Sequence, residues 1–166
     1  MYKQNSNQIM KKLLFLALAA LMIAPMAKSQ SNAEEVEFFQ SIFGSEKKAM
    51  VASFISLDGE AKDAFWTNYD LYETERKALG KSRITLLEKY AEEFEGMTEE
   101  QTDATMASWI KQRKASDKLI ESYYKKIKKA SGSKAAAQFY HLENYFASAI
   151  RATLLENIPV IGEFDY

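Results

Sequence analysis

No proline interrupts the chain between Pro25 and Pro159. A proline inside a helix removes a hydrogen bond, clashes with the preceding turn and costs about 3 kcal/mol. Its absence over so long a stretch permits helices of unusual length. Glycine then supplies the punctuation, with breaks expected at Gly44-Ser45, Asp58-Gly59, Gly96 and Ser131-Gly132-Ser133. Gly80 is the exception: it falls inside a helical pattern, where it costs about 1 kcal/mol relative to alanine. Five helices are expected, over about 33–43, 46–56, 60–95, 99–130 and 134–157, followed by an extended tail at 158–166. Ser45, Asp58, Thr98 and Ser133 are the expected caps, and Thr98 with Gln101 three residues on has the form of a capping box.

Apolar residues recur at alternating steps of three and four. The third helix carries Phe65, Tyr69, Tyr72, Leu79, Leu86, Tyr90 and Phe94. The fourth carries Met106, Ile110, Ile120, Tyr124 and Ile127, and the fifth Ala135, Phe139, Leu142, Phe146 and Ala149. That period marks coiled-coil-like seams. The turn at Gly96 is short, so the two long helices, each about 50 Å, should be antiparallel neighbours. The expected fold is all-α: an elongated antiparallel helical bundle built on a long helical hairpin, with a short N-terminal helix pair.

Residues 1–29 read as a cleaved signal peptide. Lys3, Lys11 and Lys12 precede the apolar run Leu13–Ala24, and Ala27-Lys28-Ser29 fits a small-x-small cleavage site. The apolar run is short of the roughly 20 residues that span a bilayer, so no stable membrane insertion is expected once it is cut. Residues 30–166 would then form a single all-α domain. Loss of Lys3, Lys11, Lys12 and Lys28 would take the net charge from −1 to −5.

Composition narrows the chemistry. The chain has no Cys and a single His, His141. A disulfide scaffold, a cysteine-ligated zinc site and a thiol nucleophile are excluded. A Ser-His-Asp triad would depend on that one residue. A mildly acidic exported chain is poorly suited to nucleic acid. No phosphate-binding loop appears, so no enzymatic activity, metal or cofactor is expected. Glu92, Glu93, Glu95, Glu99, Glu100 and Asp103 crowd the turn at Gly96, without the spacing of an EF-hand.

Charged residues interrupt the seams: Arg76 and Arg83 on the third helix, Arg113 and Asp117 on the fourth, Glu143 on the fifth. Folding about Gly96 and Gly132 should bring Arg76, Asp117 and Glu143 together near mid-bundle, as an ion-pair network that fixes register. Phe65, Trp66, Tyr69, Tyr72, Trp109, Tyr123 and Tyr124 are more aromatic surface than one seam can hide. They are candidate partner-binding residues, since Tyr and Trp supply rigid contact area.

The run Met97-Thr98-Glu99-Glu100-Gln101, opening a long helix after a short turn, resembles the LTXXQ motif of the Spy/CpxP-like periplasmic proteins, with Met97 in place of leucine. Leu57-Asp58-Gly59-Glu60-Ala61 is similar to an eroded second copy. The resemblance covers roughly 45–160. It implies an all-α periplasmic protein, in relatives often a curved dimer, acting as an ATP-independent chaperone or envelope-stress accessory that binds unfolded clients or a partner protein. An extracellular location is compatible with the same export signal. The alternative is a small-molecule or lipid carrier with an aromatic-lined cavity between helices.

Overall fold

The computed structural model describes residues 31–158, with side chains described from Phe43 onward save that of Asn157. The expected signal peptide and residues 159–166 of the expected tail lie outside the described residues. Four helices follow one another: α1 (Ser31–Phe54), α2 (Gly59–Glu93), α3 (Glu99–Ser131) and α4 (Ser133–Asn157), with a 3-10 turn at Phe94–Gly96 between α2 and α3. No strand occurs among the described residues. At 35 and 33 residues, α2 and α3 are each about 50 Å long.

The expected N-terminal helix pair is in fact one helix. α1 runs unbroken through Gly44 and Ser45, and Ser45 is an interior residue rather than a cap. A lone glycine penalises a helix by only about 1 kcal/mol, and packing of α1 against two other helices outweighs that. A Cβ at Gly44 would stand 3.6 Å from Lys77 Cε and 3.7 Å from Glu73 Oε2, which is ordinary contact.

The caps divide similarly. Thr98 Oγ1 accepts from the Gln101 backbone N–H at 3.2 Å, and Gln101 Oε1 accepts from the Thr98 N–H at 2.9 Å, so the capping box forms. Asp58 occupies the N-cap of α2 without a side-chain cap bond. Ser133 is already helical and does not cap α4. Gly132 alone joins α3 to α4, with φ of 91°. That left-handed conformation suits glycine and reverses the chain in a single residue, which leaves no room for a separate cap.

Contacts along the helices give their directions. Tyr72 meets Tyr123 and Tyr90 meets Trp109, so α2 and α3 are antiparallel. Tyr124 meets Tyr140 and Asp117 meets Arg151, so α4 returns along α3. Phe43 lies by Arg76 and Lys48 by Asp70, which sets α1 antiparallel to α2. Gln138 Nε2 donates to the Phe54 carbonyl, tying α1 to the start of α4. The main core fills the half of the bundle where all four helices meet, with Val51, Phe65, Tyr69, Tyr72, Tyr123, Ile127 and Phe139 at its centre.

The helix α3 has two working faces. Thr105, Trp109, Gln112, Leu119 and Tyr123 turn inward or partly inward, and Trp109, Gln112 and Tyr123 contact α2. Met106, Ile110, Asp117, Ile120, Tyr124 and Ile127 form the neighbouring stripe, which packs on α4 further along the helix. Toward the end of α4 at Asn157, Met106 and Ile110 of this stripe stay exposed.

Candidate functional site

The ion-pair network forms, with different members from those the spacing predicts. Glu143 is 2% exposed, and its Oε2 accepts from Lys47 Nζ at 2.6 Å and from the Tyr72 hydroxyl at 2.6 Å. Lys47, 1% exposed, also donates to Glu73 Oε1 at 2.6 Å. Its ammonium stands 5.1 to 5.7 Å from the ring centres of Tyr72, Phe146 and Tyr69. A buried ammonium needs such company, because an unpaired one would lose its hydration without compensation. Arg76 binds Glu73 through Nε at 2.9 Å and Nη2 at 3.0 Å.

Asp117 does not join Arg76 and Glu143. It pairs with Arg151 at 3.2 Å and with Arg113 at 3.8 Å on the more exposed side of α3. The reason is geometric: Asp117 belongs to the stripe that faces α4, whereas Arg76 has an acid one turn back on its own helix. Arg76, Arg83 and Glu143 do line one small cavity of about 60 Å³, together with Lys47.

Electrostatics follow burial. Burial pushes the Glu143 carboxyl above the ordinary carboxylate range, against the pull of Lys47. Burial also acts upward on Glu73, but Lys47 and Arg76 outweigh it and hold that carboxyl below the ordinary range. The Tyr69 and Tyr72 hydroxyls are pushed well up by burial and by Glu143. Glu143 Oε1 and the Tyr69 hydroxyl are buried without a hydrogen-bond partner. Lys47, Tyr72, Glu73 and Glu143 thus clamp α1, α2 and α4 together.

The aromatic candidates for partner binding separate into two groups. Phe65, Tyr69, Tyr72 and Tyr123 are buried. They pack on one another and on Phe139, mostly edge-on, at ring-centre distances of 5.0 to 6.3 Å. They are core, and as partner-binding residues they are corrected: the fourth side of the bundle, α1, covers the face that the hairpin alone would expose. Trp66 and Tyr124 are half-buried against the core, and Trp109 is half-buried beside Tyr90. Met97, Thr98 and Gln101 follow the turn at Gly96, where Thr98 and Gln101 cap α3. His141 is exposed beside the Tyr140 ring. Among the described residues no group of three or more acidic or histidine side chains could hold a metal ion, and no helix is long and apolar enough to cross a membrane.

Exposed apolar surface gathers elsewhere. A groove of about 290 Å³ lies between α2, α3 and the end of α4. Leu86, Leu87, Trp109, Leu154 and Ile158 contribute its walls, with Met106, Ile110 and Leu155 at the surface, 41%, 49% and 67% exposed. Three arginines, Arg83, Arg113 and Arg151, stand in the same lining. Met106 and Ile110 continue the α3 stripe beside the last turn of α4, whose Leu154 and Leu155 share the lining. The 3-4 spacing identified both as seam residues, and α4 ends at 157 as expected; periodicity does not report how much of the seam stays exposed.

Comparison with known proteins finds no matching family model, no matching curated protein and no matching solved structure.

Proposed function

We propose that this chain is an exported, non-enzymatic helical binding protein, chaperone-like or accessory to an envelope-stress response, that takes apolar segments of unfolded or partner proteins. The observation that carries this reading is the exposed seam: Met106 and Ile110 keep core-type spacing yet stay 41% and 49% exposed in the groove at the end of α4, beside an exposed Leu155. A helix face of that kind matches the mode in which an amphipathic or extended apolar segment lies in a groove. The enclosure of Glu143 supports the absence of acid–base chemistry, which needs a carboxyl within reach of a substrate.

An open groove with one aromatic wall, Trp109, fits a peptide segment better than it fits the enclosed aromatic-lined cavity a small-molecule carrier needs. The buried rings of α2 fill the interior that such a cavity would occupy. The resemblance of Met97–Gln101 to the LTXXQ motif and the leader-like residues 1–29 support the exported, chaperone-like part of the reading. The test is aggregation of a chemically unfolded client followed by light scattering. Suppression at near-equal molar ratio without ATP is expected, and no suppression at several-fold excess would overturn the proposal.

A further inference from the structure

The groove is not simply greasy. Arg83 projects from α2 into its lining, half-buried, and makes no hydrogen bond or ion pair among the described residues. Burial, with the like charges of Arg76 and Arg151, pushes its guanidinium below its ordinary value. Arg76 is already engaged by Glu73, and Arg151 and Arg113 share the single carboxylate of Asp117. Among the described residues the groove therefore carries positive charge in excess, with Arg83 unpaired. The indole N–H of Trp109, also in the lining, is buried without an acceptor.

An arginine that has lost part of its hydration and gained no counter-ion is costly to hold in the free protein. Only a ligand that brings the missing charge removes that cost. A guanidinium offers a planar fork of donors that matches a carboxylate. We infer that the groove selects protein segments in which an apolar side chain is followed within a turn by Asp or Glu, the carboxylate pairing with Arg83 while the apolar side chain covers Met106 and Ile110. This rests on the reading that partner segments dock here, and it deepens that reading by naming their chemistry. It runs against the whole-chain charge of −1, which on its own would favour basic partners; the preference is local, set by the arginines of the groove.

The experiment is calorimetric titration of the full chain with three short helical peptides of the same leucine and alanine pattern. They differ at one position one turn after the central leucine, which is Glu, Gln or Lys. The Glu peptide is expected to bind about tenfold more tightly than the Gln peptide, with the Lys peptide weakest, and Arg83→Gln is expected to erase the difference. Arg83 has no partner to orphan among the described residues, so R83Q should keep the denaturation midpoint, which is measured alongside. Arg83→Lys, which retains charge without the fork, should keep part of the preference. Equal binding of all three peptides would overturn the charge inference while leaving the docking reading intact. A preference that survives in R83Q would overturn the assignment to Arg83. Binding of none of them would overturn both. Decanoate binding where no peptide does would turn the site over to small amphiphilic anions and overturn the proposal.

Discussion

Lys47 on α1 and Glu143 on α4, 96 residues apart in sequence, share a buried ion pair of 2.6 Å. This contact explains why the first helix belongs to the bundle. Burying two charges costs several kcal/mol per ion, and the attraction offsets this only when both are well partnered. Here Tyr72 and Glu73 complete the shell. Lys47→Ala leaves two buried carboxylates with one cation, Arg76, between them, and is expected to cost about 3–5 kcal/mol. Urea denaturation checks it. A loss under about 1 kcal/mol would show that water reaches the cluster.

The same cluster has a pH signature. Glu143 holds its proton to higher pH in the folded chain than in the unfolded chain, where a glutamate titrates near about 4.3. Its contribution is present below that unfolded value and is lost as pH rises through the folded one. Glu73 runs the other way: its folded value is depressed, so its contribution is present above about 4.3 and is lost as pH falls through the folded value. Glu143→Gln removes the first effect and retains the second. The wild type should therefore lose stability relative to the variant as pH rises from about 4 toward neutrality. A difference that stays flat over that range would contradict the assignment.

Gly44→Ala should stabilise the protein by about 0.5–1 kcal/mol, because Gly44 lies inside α1 and the added methyl meets only Lys77 and Glu73 at ordinary distances. Thermal unfolding reads the change. Destabilisation would mean that α1 breaks at Gly44 as its sequence suggests.

Aromatic substitutions distinguish core from surface. Phe139→Ala should cost about 3–5 kcal/mol, as it empties a fully buried site against Tyr69 and Tyr72. Tyr145→Ala, at an exposed position, should stay within about 0.5 kcal/mol. Chemical denaturation of both variants checks the contrast.

The hairpin was legible in the sequence because its determinants are local. The 3-4 spacing of α2, the capping box at Thr98 and the short turn at Gly96 set its register, and Tyr72 does face Tyr123. The placement of α1 was not legible. Phe43, Lys47, Val51 and Ile55 lie at four-residue steps on one face, but a lysine there reads as an interruption, and Gly44-Ser45 reads as a break. Only the tertiary partners Glu73 and Glu143 make that lysine a core residue. The groove was half legible. Met106 and Ile110 declare an apolar stripe, yet periodicity reports a face and says nothing of what covers it.

The exposed seam is tested most directly by methyl NMR on the methionine-labelled protein mixed with an unfolded client. Met106 lies on the seam, while Met50 packs on the core and Met97 sits at the hairpin turn. The Met106 methyl signal is expected to shift or broaden with client while those of Met50 and Met97 hold. Client binding that leaves Met106 unmoved would contradict it.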